Sequence, residues 1–404
     1  MICFEPNDEQ RLLRDAVAQF AKTCIRPRMR EIEKLREAPE DLRKAAHEMG
    51  LGLMQVPRAQ GGQGLPLTTS VLIEEELGHA DAGAAFGLAG PGAMAFALTE
   101  LGTEEQKNRY LAPFTKPDGH SRFGAVAWSE AKPHRERFGF STIARKVPGG
   151  FLLSGTKSFV DRAGVAQTYV VFAQVEEARG WEGIGAFVVE ADNPGLRIGE
   201  RHATLGLDAA HFGEIVLDGA QVGEDARLLP QGDFTLAVLR FFSKHSLVVA
   251  ARAVGVARAA FELARDYCET RVAFGKPIGH FQAVAFTLAD RLMDVESARS
   301  LVLRAAWAWD AGLPELEAIA MTANAVAHAQ EACMRAADDA VQLHGGSGFM
   351  RDYPVEKLMR DAKQLALCMQ TGEQADQVFG AIALSTKLDP ALVLPTPETQ
   401  AVFT

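Results

Sequence analysis

The hydrophobic period of this chain changes twice, and those two changes bound the fold more tightly than any single motif. From residue 8 to about 115 the apolar residues recur at helical spacing, as in Leu12, Leu13, Val17, Phe20 and Ala21. From about residue 121 the text becomes short runs rich in Val, Ile and Phe, divided by Gly, Asp and Pro: GAVAWS, GFLLSGTKSFV, QTYVVFAQV, GIGAFVVE and GEIVLDG. After QGDF the helical period returns and persists. Four segments, at about 234–270, 281–311, 314–343 and 367–385, carry Ala, Leu and Val along one stripe and predict a four-helix bundle. Helices, then strands, then helices imply an α+β protein and not a βαβ sheet. The expected parts are an N-terminal helical domain (1–120), a central β-domain (121–230), a C-terminal four-helix bundle (231–388) and a proline-containing tail (389–404). Within the first, TTSVLIEEELGHA reads as a helix capped by Thr68 or Thr69.

Composition serves mainly to exclude. At 404 residues the chain needs two or three packed units. A net charge of -10 leaves no basic face for nucleic acid. Arg26, Arg28 and Arg30 are followed at once by Glu31 and Glu33, which reads as a solvated helix face. No stretch reaches the ~18 apolar residues of a membrane span, and MICFEPNDEQ lacks the regions of a signal peptide. Cys3, Cys24, Cys268, Cys333 and Cys368 are scattered, with no CxxC, and no HExxH occurs, so neither disulfides nor a zinc site is expected. A reducing, cytoplasmic location follows as the expectation.

The most specific text is C-terminal, where TRVAFGKPIGHFQAV (270–284) precedes VQLHGGSGFMRDYPVEKLMRDAK (341–363). HGGSG reads either as a plain helix connector or as a turn whose N–H groups approach a pyrophosphate. Arg271 offers a fixed charge, Phe274 an aromatic face and Gln282 an amide edge suited to adenine. With GLGLMQVPRAQGGQGL at 50–65, these segments resemble the acyl-CoA dehydrogenase family, in order along nearly the whole chain. The resemblance implies an FAD-dependent oxidoreductase acting on an acyl thioester. Its carrier is CoA or an acyl carrier protein, and its electron acceptor is unspecified. It further implies that Arg271, Phe274, Gln282, Gln342, Gly345 and Gly346 hold the adenosine and pyrophosphate of FAD, partly across the boundary of a homotetramer or dimer. Thr371 is a further implied cofactor contact.

The flavin-ring side departs from the family. Ser129, Glu130 and Ala131 match its Thr-Glu-Pro, and His134, Arg135 and Glu136 stand where Gly-Ser-Asp meets the pantetheine and flavin edge. Arg135 is thereby a candidate substrate contact. Phe159, Val160 and Asp161 match the Trp-Ile-Thr beside the isoalloxazine. Ser129 keeps a hydroxyl and Phe159 can stack, but Asp161 sets a carboxylate where a hydroxyl reaches flavin N5. Such a carboxylate opposes an anionic reduced flavin unless protonated or turned away. The competing reading is a cap on the VDRAG turn.

The base departs as well. These dehydrogenases need a carboxylate to take the α-proton while hydride leaves the β-carbon. Its usual position is Met369 here, or Gln370 after a one-residue slip, and neither accepts a proton; Glu373, a turn further on, matches a packing residue. The family's other position, on the first long C-terminal helix, is His245. An imidazole with an unperturbed pKa of roughly 6.5 can act as a base; the bland alternative is a polar side chain lining a cavity. Phe242 is kept beside it, while Ser243 and Ser246 replace the Asp and Arg that bind the pantetheine arm. Three functions compete. The first is a flavoenzyme with a relocated base, His245 or Asp161. The second is a non-catalytic or half-site subunit whose homologous partner chain supplies the Glu. The third is a flavin monooxygenase-like branch needing no base, against which the intact PVEKLMRDAK element argues.

Overall fold

The structure, a computed structural model, describes residues 5–131, 139–175, 183–368 and 371–384. Six helices come first: α1 (Asp8–Phe20), α2 (Met29–Leu35), α3 (Glu40–Glu48), α4 (Leu67–Gly87), α5 (Ala93–Leu101) and α6 (Glu104–Leu111). Eight strands follow: β1 (Gly124–Ala127), β2 (Ile143–Val147), β3 (Gly150–Val160), β4 (Thr168–Val175), β5 (Ile184–Glu190), β6 (Leu196–Arg201), β7 (Gly213–Gly223) and β8 (Arg227–Leu228). The last part holds α7 (Phe234–Thr270), the short hairpin β9 (Val272–Ala273) and β10 (Lys276–Pro277), then α8 (Gln282–Asp310), α9 (Glu315–Leu343), α10 (Val355–Leu365) and α11 (Gly372–Ala383). Helical, sheet and helical parts thus succeed one another as the period changes predict.

The strands make one mixed sheet in the order β6-β7-β3-β2-β4-β5-β8, with β1 running parallel along the first half of β4. β2 and β6 fall outside the runs that the sequence marks as strands. Their exposed positions carry Arg145, Lys146, Arg197 and Glu200, which interrupt the apolar pattern. α7, α8, α9 and α11 pack as the expected bundle, and α10 lies against α7 and α9 as an added helix. The fourth bundle helix begins later than its hydrophobic run, at Gly372, where the Thr371 hydroxyl accepts the Gln374 amide as a cap.

Neither Thr68 nor Thr69 caps α4. The carboxylate of Asp310, at the end of α8, accepts the amides of Leu67 and Thr68 at 2.8 Å each. A distant acid satisfies those donors better than a neighbouring hydroxyl, because its charge also opposes the helix dipole.

Two features place the site. α4 and α7 cross almost backbone to backbone: a Cβ on Gly255 would lie 2.1 Å from the Glu75 carbonyl oxygen, and one on Gly78 would lie 2.3 Å from that of Arg252. α4 then breaks at Asp81, whose φ of -166° and ψ of 109° leave the helix. The Asp81 carboxylate accepts the Ala84 amide at 2.9 Å and meets Lys357 of α10 at 3.0 Å. Lys357 is also 2.7 Å from Asp361, which accepts the Leu207 amide at 2.7 Å. All three ions are buried. They tie the break in α4 to α10 and to the β6–β7 connection.

Candidate active site

On the sheet side, the segment after β1 is held by a pair the sequence reading does not single out. Lys157 of β3 is fully buried, with Nζ 2.9 Å from Glu130 Oε1, 2.8 Å from the Trp128 carbonyl oxygen and 3.5 Å above the centre of the Phe140 ring. Burial pushes its ammonium down to about 8. Glu130 also accepts the amides of Ser141 and Thr142, at 2.6 and 3.0 Å. The available signal was a lysine within an apolar strand run, since an unpaired ammonium is not left in a sheet core. Ser129 stays exposed, and its carbonyl accepts the Ser158 amide at 2.9 Å. Just beyond, the β3–β7 register slips between Lys157 and Val160, and Phe159 takes φ 59°. This bulge turns Phe159 outward, 59% exposed and 5.0 Å from the His202 ring.

Asp161 follows the bulge and is half-buried. The amides of its turn are spent elsewhere: Arg162 on Ala210, Gly164 on the Tyr169 hydroxyl, and Val165 and Ala166 on the Arg162 carbonyl. Asp161 is therefore not the cap of that turn. Burial raises its carboxyl above the ordinary value, while Arg162 and Arg252 oppose the rise.

His245 of α7 is 7% exposed and lies edge-on to Phe96, with centroids 5.6 Å apart. Among the described residues neither ring nitrogen has a hydrogen-bond partner, and Nδ1 is fully enclosed. Burial, and then the charges of Arg252 and Arg162, push its pKa down to about 3. His245 lines a cavity of about 60 Å³ together with Glu74 and Leu77 of α4, Phe96 of α5 and Arg252 of α7. Arg252 grips Glu74 with two bonds, Nε to Oε2 at 2.7 Å and Nη2 to Oε1 at 3.1 Å. Both ions stand out from the sequence only as charges on an otherwise apolar helical stripe. Ser243 and Ser246 are buried beside His245, the Ser246 hydroxyl without a partner, and Phe242 packs against Trp128 at 4.6 Å. Arg135, with His134 and Glu136, lies outside the described residues, as do Met369, Gln370 and the Glu373 side chain.

The residues assigned to the adenosine end lie on open ground. Arg271 is exposed and its guanidinium makes no ion pair among the described residues. Phe274 is 96% exposed at φ 51°. Gln282 opens α8 and Gln342 lies in the last turn of α9; both are exposed. Gly345 has φ 54°, and a Cβ on it or on Gly346 would meet nothing within 4 Å. Val272, Phe286, Met293 and Phe349 are also more than half exposed, and α8 buries no residue before Val295. Exposed apolar groups on this scale mark a surface that is covered in use. They fit a nucleotide and a second subunit, and the exposed Phe159 and Ser129 fit a flavin ring. Thr371 caps α11 through its oxygen, which leaves its hydroxyl proton to give. No helix among the described residues is long and apolar enough to cross a membrane.

Comparison with known proteins finds similarity along most of the chain. Family models for the N-terminal, middle and C-terminal domains of acyl-CoA dehydrogenase match residues 7–118, 125–220 and 235–373. An acyl-CoA dehydrogenase of Bacillus subtilis is 35% identical over 375 residues, covering 91% of this chain and 96% of the relative. The solved structure of butyryl-CoA dehydrogenase from Megasphaera elsdenii superposes with a TM-score of 0.87 at 30% identity, covering 95% of this chain and all of that one. A prolyl acyl carrier protein oxidase superposes at 0.84 with 25% identity, over 94% and 100% of the two chains. Matched domain by domain and in order, the chain belongs to the acyl-CoA dehydrogenase family of FAD-dependent oxidoreductases.

Proposed function

We propose that the protein oxidises an acyl thioester with FAD and that Asp161, not His245, receives the α-proton. The observation that carries this reading is the opposite displacement of the two groups. Burial raises the Asp161 carboxyl above its ordinary value, which makes it a stronger base, and burial with two guanidinium charges pushes His245 down to about 3. An imidazole so weak gives little driving force for proton abstraction at neutral pH. FAD supplies the acceptor for the two electrons that leave with the β-hydrogen. Asp161 takes the proton from the α-carbon, so that a carbon–carbon double bond forms. Phe159, turned outward by the bulge, offers an aromatic face, and Ser129 offers a hydroxyl. The Lys157–Glu130 pair holds the strands that carry them.

The likeness to both a CoA-dependent dehydrogenase and an acyl carrier protein oxidase supports either carrier. Buried serines at 243 and 246 in place of charged pantetheine contacts favour a carrier that brings its own protein surface. The bare first half of α8 supports assembly into a dimer or tetramer. The thiols of Cys24, Cys268, Cys333 and Cys368 are free, which supports a reducing, cytoplasmic setting.

The test is anaerobic flavin bleaching by a panel of acyl-CoA and acyl-pantetheine thioesters. Asp161→Asn slows bleaching by about 10²–10⁴, the usual worth of a general base, whereas His245→Gln does not. Undiminished bleaching in Asp161→Asn would sink the assignment. A wild-type protein that holds FAD yet is inert until mixed with a homologous Glu-bearing chain would establish the half-site reading instead.

A further inference from the structure

We propose that the acyl pocket of this chain selects a short acyl group ending in a neutral hydrogen-bonding function, a hydroxyl or carboxamide, over a plain alkyl chain. The inference rests on the thioester reading above but not on which residue takes the proton. His245 lines the cavity, and by its match to one of the family's two positions for the base the cavity adjoins the place of the reacting carbons. At about 60 Å³ the cavity holds only a few non-hydrogen atoms.

Its walls are unlike those of an alkyl pocket. The buried Glu74–Arg252 pair is part of them, and the Arg252 Nη1 group donates to nothing among the described residues. His245 brings two ring nitrogens without partners. A neutral imidazole carries one donor and one acceptor, and a hydroxyl or amide answers both. An alkyl end would desolvate all of these groups and bond none, which is how polar sites reject apolar analogues.

Charge restricts the end group further. Glu74 spends both oxygens on Arg252, so the pair is neutral as a unit. The other cation in the wall, Arg162, is enclosed by the carbonyl oxygens of Phe86, Leu88, Gly90 and Gly124 at 3.0–3.3 Å. An anionic end would face the Glu74 carboxylate and a guanidinium whose charge Glu74 already balances, and a cationic end would face two guanidinium groups. A neutral polar end meets neither penalty.

The experiment compares 4-hydroxybutyryl-CoA with pentanoyl-CoA, which differ by a hydroxyl in place of a methyl, using calorimetric binding to the FAD-loaded protein. Wild type should bind the hydroxy compound at least on the order of tenfold more tightly. The ratio should fall toward one in His245→Leu, and in the double variant Glu74→Leu/Arg252→Met. Flavin retention reports that each variant is folded. Pentanoyl-CoA binding as tightly as its partner, a preference that survives both variants, or failure of the hydroxy thioester to bind would each overturn the proposal. Binding needs no turnover, so an error about Asp161 would appear in bleaching and leave this ratio untouched.

Discussion

Replacing Arg252 by Met tests the electrostatic core of the site. The pair it breaks is bidentate, at 2.7 and 3.1 Å, and its side chains are only 11% and 6% exposed. Methionine removes the cation and leaves the Glu74 carboxylate facing a small cavity, an unpartnered imidazole and the apolar walls of α4 and α5. Stranding one member of a buried ion pair costs roughly 3–5 kcal/mol. Water entering the cavity offsets part of that, so the lower end of the range is expected. The double variant Glu74→Leu/Arg252→Met removes both charges, and apolar replacement of a whole buried pair is often neutral or better. It should return to within about 1.5 kcal/mol of wild type. Urea unfolding of the FAD-loaded proteins reads both effects as midpoint shifts at constant slope. After burial, the Arg252 charge does most to hold His245 near 3, so the ring should titrate higher in the single variant. A single-variant cost below about 1 kcal/mol, or a double variant no better than the sum of its singles, would refute the reasoning.

Two further outcomes follow from geometry already described. Gly255→Ala puts a methyl 2.1 Å from the Glu75 carbonyl oxygen, with backbone on both sides, so α4 and α7 must separate; a loss of about 1–3 kcal/mol or more in the same urea assay is expected. Arg271→Ala, at an exposed position, should leave chain stability within about 0.5 kcal/mol yet weaken both FAD retention and subunit association in gel filtration; loss of neither would remove Arg271 from the cofactor site.

The layered fold was legible because a change of hydrophobic period survives local irregularity. β2 and β6 were not, because half their side chains face solvent and carry charge. α10 was hidden for the opposite reason. Glu356, Lys357, Arg360 and Asp361 look like a solvated run, yet Lys357 and Asp361 are buried against Asp81, far away in sequence. The site divides in the same way. Ser129, Phe159 and Asp161 are singled out by motif, and they stand just after β1, within β3 and just after β3. The Glu74–Arg252 pair depends on a helix crossing made possible by Gly78 and Gly255, and no local pattern announces which charges such a crossing will join.

Arg162 shows why the departures at positions 161 and 245 belong together. It sits at φ 59°, immediately after Asp161, and its buried guanidinium ties the end of α4 and the residues beyond it to β1 through four carbonyl oxygens. Gly92 leaves it room, since a Cβ there would lie 2.1 Å from Arg162 Nη1. The side chain that closes this joint therefore also fixes the backbone on which Asp161 is carried. Its charge acts on both candidate bases at once, restraining the rise at Asp161 and deepening the fall at His245. A cation with that double effect weakens the imidazole as a base and favours the ionised form of the carboxylate. A histidine at 245 held so low is better suited to bonding a neutral substrate group than to taking a proton, which is why the proposed base is Asp161.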